Sequence, residues 1–194
     1  MTVNLGKGQK ISLEKAGGGA LSLVRMGLGW RATPRKGFLA KLIPGREIDL
    51  DASAVLFAGT KPVEVVYFQQ LTSSDGSVRH SGDNLTGGAG EGADDESIVV
   101  DLQRVPAQVE QIVFTVNSFT GQTFQEVQDA FCRLVDETTG TELARYTLTG
   151  GGPYTAQIMA KVHRSGTGWQ LTAIGEPAAG RTFQQLLPEI AKHL

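Results

Sequence analysis

The stretch QIVFTVNSF, residues 111–119, alternates without a break. Ile112, Phe114 and Val116 project to one side of an extended chain, and Val113, Thr115 and Asn117 project to the other. A helix would scatter these residues around its circumference, so the stretch reads as a strand with one apolar face. Runs of the same kind flank it in both directions: ALSLVRMGLGW (20–30), REIDLDASAVLF (46–57), VEVVYFQQLT (63–72), SIVVDL (97–102), AFCRLVDE (130–137), ELARYTL (142–148), TAQIMAKVHR (155–164) and GWQLTAIG (168–175). Their short lengths and regular spacing fit an all-β antiparallel sandwich of two packed sheets better than alternating α/β units.

The connections agree. SSDGS (73–77), DETTGTE (136–142) and HRSGTGW (163–169) carry the Asp, Ser, Thr and Gly of tight turns between antiparallel neighbours. Helical spacing is confined to two places. TFQEVQDAF predicts a short helix near 123–130. RTFQQLLPEIAKHL predicts a C-terminal helix, with Thr182 as its cap, Phe183, Leu186, Leu187 and Ile190 on one face, and Pro188 shortening it. No long linker and no fixed-period repeat divides the 194 residues, which predicts a single domain over 1–194.

Composition excludes more than it names. With 40% hydrophobic and 20% charged residues, the chain is ordinary for a globular protein, and a net charge of -2 selects no partner. The first 46 residues hold half of the lysines and arginines but only one acid, Glu14. No recognition helix or stacking motif accompanies them, so a solvated face is expected and direct nucleic-acid binding is not. The start lacks the apolar run of a signal peptide, and no 18 apolar residues are contiguous, which predicts a cytoplasmic protein that is not itself embedded in a membrane. Cys132 is alone, so neither an internal disulfide nor a cysteine-built zinc site is expected. Trp30 and Trp169 read as packing residues, and Asp136 with Glu137 as a turn entry.

The chemistry concentrates in GDNLTGGAGEGADDE, residues 82–96. Asp83, Glu91, Asp94, Asp95 and Glu96 crowd into a glycine-rich run without a lysine or arginine. Two such charges about 5 Å apart repel by roughly 3 kcal/mol at an effective dielectric near 20, so an ordered loop needs compensation. Calcium takes six to eight oxygen ligands in flexible geometry, and glycines allow the backbone turns that bring carbonyls and carboxylates together. Asp83, Asn84, Thr86, Gly87, Asp94, Asp95 and Glu96 are the candidate ligands in the loop. A solvated acidic loop is the alternative. In EIDLDASAVLF, Asp49 and Asp51 project from one face of a strand while Leu50 takes the other, and a carboxylate pair beside a core strand needs a partner or solvent. A cation shared by the two clusters would satisfy both.

Nucleotide and hydrolase chemistries fit less well. GGAGEG places an acid where phosphate needs positive potential, and GKGQK lacks the phosphate-loop spacing. His80, His163 and His193 are scattered, and no G-x-S-x-G elbow is present. A hydrolase working through paired carboxylates stays as an alternative, with Asp49, Asp51 and the triplet 94–96 as its acids.

The fragments LGW, DLDASA, DGSV, GDNLTG, DDE, IVFTVN, RLVDE and ELARYTL, in this order along nearly the whole chain, resemble the TerD family of bacterial tellurium-resistance and stress proteins. The resemblance implies a cytoplasmic, non-enzymatic β-sandwich that binds calcium through acidic loops. It also implies partners among other proteins of the tellurite-resistance system, some of them membrane-bound. It maps the family's aspartate pair onto Asp49 and Asp51, and its acidic loop onto Asp83, Asn84 and the triplet Asp94, Asp95, Glu96. The chain departs from many relatives at Arg31, where they carry aspartate, and at Gln69 and Gln70, where they carry asparagine; its loop is also slightly longer. These departures leave one or two calcium sites open. They also raise a metal-independent scaffold in which Arg31 pairs with the loop carboxylates.

Overall fold

Gln111–Ser118 does form a strand, and both of its faces are buried. The computed structural model describes residues 2–15, 17–32, 48–90, 92–148 and 152–194. Its strands in chain order are β1 (Val3–Asn4), β2 (Lys10–Ser12), β3 (Leu23–Ala32), β4 (Leu50–Ala58), β5 (Lys61–Val66), β6 (Val78–His80), β7 (Glu96–Asp101), β8 (Gln111–Ser118), β9 (Val127–Asp136), β10 (Thr141–Thr147), β11 (Ala156–Ser165) and β12 (Gly168–Ala178), followed by one helix, α1 (Phe183–Ile190). The first sheet has the order β1-β10-β9-β3-β7-β6 and the second β2-β12-β11-β8-β4-β5. All pairings are antiparallel except that of β1 with β10.

Period two decides which residues meet between the sheets. Ile112, Phe114 and Val116 join Leu50, Ala52, Ala54 and Leu56 of β4 and Met26, Leu28 and Trp30 of β3 in the main core. The opposite face of the second sheet is also dry: Val113, Val55, Phe57, Ile158 and Ile174 pack against Leu186 and Ile190 of α1. Burying each of those two helix residues stabilises by about 1.5–3 kcal/mol, so a helix of eight residues is held by its apolar face more than by its own propensity. Thr182 precedes α1 in an extended conformation but makes no side-chain capping bond. Instead the Gln185 side chain accepts the Arg181 N–H at 2.7 Å. Pro188 lies inside the helix, which gives way to a 3-10 turn over Ala191–His193.

One element differs from expectation. The short helix near 123–130 is a 3-10 turn over Phe124–Glu126 only, and β9 begins at Val127. Phe124, Val127, Ala130 and Phe131 are buried, a helix-like spacing with another cause. Arg31 pairs with Gln128 and Gly29 with Phe131, so β9 carries an extra residue opposite β3. Asp129 takes a φ of 49° within this bulge. A bulge breaks the alternation of a strand and imitates the period of a helix.

Three expected turns are present. Gly76 donates to the Ser73 carbonyl at 2.8 Å, Gly140 to the Asp136 carbonyl at 2.8 Å, and Ser165 pairs with Gly168 across the β11–β12 hairpin. Asp136 serves the turn, its Oδ1 accepting the Thr138 N–H at 3.0 Å. Trp30 and Trp169 are buried as packing residues. Among the described residues no helix is long and apolar enough to cross a membrane.

Candidate metal centre

β4 carries Asp51 on the side shared with Ser53 and Val55, opposite Leu50 and Ala52, as alternation requires. Register places Asp51 beside Asn117 of β8, whose side-chain N–H donates to Asp51 Oδ2 at 3.0 Å and to the Arg181 carbonyl at 2.6 Å. Asp49 lies just before the strand, where its carbonyl accepts the Phe119 N–H at 3.1 Å. Asp83 arrives from the other sheet, in the loop between β6 and β7. One carboxylate oxygen from each of Asp49, Asp51 and Asp83 lies within 4.8 Å of the others.

This convergence is costly. Asp49 and Asp51 are 7% and 2% exposed, and Asp49 Oδ1 is buried without a hydrogen-bond partner among the described residues. Burial, then the charges of Asp83 and Glu96, pushes the Asp49 carboxyl up to about 6. Burial, then the charges of Asp49, Glu96 and Asp83, pushes Asp51 up to about 8 against the opposing hydrogen bond from Asn117. No lysine or arginine forms an ion pair with any of the three among the described residues. The donors are all hard oxygens, the set suited to calcium, magnesium or manganese.

The rest of the acidic loop is occupied by the protein itself. Asn84 Oδ1 accepts the Thr86 and Gly87 N–H groups at 3.1 and 3.0 Å, folding the loop back on itself. Thr86 is exposed, its hydroxyl 3.4 Å from the Gly87 carbonyl. Gly87 has a φ of 67°, and a side chain there would meet the Trp30 indole nitrogen at 2.5 Å. Asp95 Oδ2 accepts the Trp30 N–H at 2.8 Å, and its Oδ1 accepts the Ala89 N–H at 2.7 Å. Backbone bonds from Asp95 to the Leu28 carbonyl and from Gly88 to the Trp30 carbonyl continue the pairing of β3 beyond the end of β7.

Asp94 lies over Gly27 on the outer face of the first sheet, where any side chain on Gly27 would overlap its carboxylate. Arg133 Nε donates to Asp94 Oδ1 at 2.7 Å, and Arg25 pairs with Oδ2. The network runs on through Glu137 beside Arg25, and through Glu142 and Arg145 beside Arg133. Asp94 and Asp95 therefore stand outside the triad, each with protein donors on both oxygens. Glu91 lies outside the described residues.

Glu96, the first residue of β7, is 1% exposed. Its Oε2 accepts the Ala52 N–H at 2.9 Å and its Oε1 the Asn84 N–H at 3.1 Å. Arg31 forms no ion pair with the described loop carboxylates; it pairs with Asp129 in the β9 bulge. Gln70 reaches Glu64 at 3.3 Å, and Gln69 accepts from the Tyr67 hydroxyl at 3.2 Å. Asn117, Arg25 and Arg133 were not anticipated as functional neighbours. Sequence position separates them widely from their partners, and only strand register brings them together.

Comparison with known proteins places the chain in a family. The chain is 47% identical over 190 residues to the tellurium resistance protein TerZ of Serratia marcescens, covering 97% of this chain and 96% of that protein. It is 40% identical to the stress response protein SCP2 of Bacillus subtilis, covering 91% and 92%, and 40% identical to the tellurium resistance protein TerD of Serratia marcescens, covering 93% of each. A crystal structure of a homologue of the telluride resistance protein from Streptomyces coelicolor superposes with a TM-score of 0.72 at 20% identity, over 89% of this chain and 98% of that one, a likeness of fold. A protein of unknown function, SAV2460, superposes with a TM-score of 0.67 at 24% identity, over 86% and 96%. The TerD domain family matches residues 1–189, and the chain belongs to that family.

Proposed function

We propose that this chain is a calcium-binding, non-enzymatic protein of the tellurite-resistance and stress-response type. Its cation would be held by Asp49, Asp51 and Asp83, with water completing the shell. The observation that carries this reading is the convergence of three carboxylates from two sheets, one of them with a buried oxygen that has no hydrogen-bond partner among the described residues. Calcium supplies two positive charges where burial and mutual repulsion raise the Asp49 carboxyl to about 6 and the Asp51 carboxyl to about 8. It would thereby fix the start of the 81–95 loop against β4 and present a rigid surface. The partners expected at that surface are other proteins of the resistance system, some of them membrane-bound, met in the cytoplasm.

A hydrolase is disfavoured by space. The cavity beside Asp51 measures about 80 Å³, below the roughly 300–1,000 Å³ of small-molecule sites. A larger cleft of about 490 Å³ lies between Arg31, Asp129, Phe131 and Arg145, and Asp129 is the one carboxylate among its described lining residues. The scaffold reading draws support of its own from the ion pairs of Asp94 with Arg25 and Arg133, which order the second half of the loop without metal.

Thermal unfolding of metal-stripped protein with calcium, magnesium or chelator tests the proposal. Calcium at about a hundred times its dissociation constant adds roughly 2.7 kcal/mol, a rise in Tm of about 5–10 °C for a chain of this size. Asp51→Asn and Asp83→Asn abolish the rise, whereas Asp94→Asn lowers Tm equally with and without calcium. Equal Tm in calcium and chelator for the wild type refutes the cation reading and leaves the scaffold.

A further inference from the structure

We infer that His80 and Glu96 are positioning residues of the triad, and that Glu96 sets the distance between the ligand-bearing segments instead of supplying a ligand. The inference rests on the proposed reading of Asp49, Asp51 and Asp83 as a cation site. Its basis is where the two oxygens of Glu96 point. One accepts the N–H of Ala52, next to Asp51 on the second sheet; the other accepts the N–H of Asn84, next to Asp83 in the loop from the first sheet. A carboxylate is rigid and planar, so one N–H on each oxygen fixes the span between the two segments. Pairing of β4 with β5 begins only at Ala54, and Glu96 takes the place of the missing strand at Ala52.

His80 holds Glu96 in turn. Both side chains are completely buried, so neither turns outward. The Gly82 N–H donates to His80 Nδ1 at 3.0 Å, which requires a lone pair there and places the proton of the neutral ring on Nε2. Nε2 has no formed hydrogen bond among the described residues and lies 3.4 Å from Glu96 Oε2, the oxygen bound to Ala52. The imidazole therefore lies against the Glu96 carboxylate with Nε2 3.4 Å from Oε2, while Gly82, at a φ of 112°, leads the chain into Asp83. Such outer partners orient ligands in metal sites, and their loss costs roughly tenfold or more in affinity.

The test is calcium titration calorimetry on the full, metal-stripped chain, joined to europium luminescence lifetimes in water and heavy water, which count waters on the bound ion. His80→Leu is expected to weaken calcium roughly tenfold. His80→Gln, whose amide can accept from Gly82 and donate to Glu96, is expected to restore affinity to within about threefold of wild type by the same outer-partner argument. In Glu96→Gln the amide nitrogen must face one of two backbone donors, so affinity falls, yet the number of bound waters at saturation stays that of the wild type. An additional water in Glu96→Gln identifies Glu96 as a ligand and overturns the inference. Equal calcium affinity in wild type and His80→Leu overturns it as well. A wild type that binds no calcium removes the cation reading itself, and this inference with it.

Discussion

Raising the pH of the cation-free protein should destabilise it. Asp51 is the group responsible, because burial and three neighbouring carboxylates lift it from 3.8 to about 8. Above its ordinary value the unfolded chain gives up the Asp51 proton while the folded chain keeps it. The folded state then binds more protons, and stability falls as pH rises until the folded value is passed. Asp49 acts in the same direction up to about 6. His163 and His193, both lowered by burial, act in the opposite direction below 6.5. Between pH 6.5 and 8 Asp51 therefore dominates, and at about 1.4 kcal/mol per unit the loss is roughly 2 kcal/mol. For a chain of this length that is a fall in Tm of about 4–8 °C. Differential scanning fluorimetry in chelator reads it directly. Asp51→Asn flattens the profile, and saturating calcium, which ionises the site at every pH in the window, removes the decline. A cation-free Tm that stays level or rises between pH 6.5 and 8 refutes the assignment of a buried, proton-holding Asp51.

Two further outcomes probe the framework around the site. In Gly29→Ala the added methyl lies 2.5 Å from the Ala93 carbonyl and 2.6 Å from the Phe131 ring; a cost of about 1–3 kcal/mol is expected in urea unfolding, with faster amide exchange at Gly88 and Asp95. Leu186→Ala removes a fully buried side chain from α1 and is expected to cost about 2–5 kcal/mol, with protection lost across α1 before the strands of the main core.

Much of the architecture was legible because alternation is a local property. The nine runs anticipated as strands match β3, β4, β5 and β7 to β12, while β1, β2 and β6 are too short, at two or three residues, to show a period. The helix expected near 123–130 failed for a physical reason: the Asp129 bulge inserted one residue and turned a two-residue period into a three-residue one. At the site, the outward pairing of Asp49 and Asp51 followed from alternation, and the need for positive charge followed from crowding. What charge counting could not do was divide the loop. Asp83 joins Asp49 and Asp51, but Asp94 lies over Gly27 between Arg25 and Arg133, and Asp95 serves the backbone of β3. Those partners come from strands far apart in the chain, and their arrival depends on register and on two glycines, Gly27 and Gly29, whose missing side chains look unremarkable in a strand.

The triad also bears on how the sandwich deforms. Asp49 and Asp51 belong to one sheet and Asp83 hangs from the other, so an ion held among them would act as a rivet across the seam. Two face-packed sheets joined by apolar contacts resist separation better than they resist sliding, since side chains can exchange neighbours along a greasy plane. A rivet at one end opposes that shear directly. Calcium entry would then be felt as stiffness between the sheets, adding to the bridge that Glu96 already makes between β4 and the loop after β6.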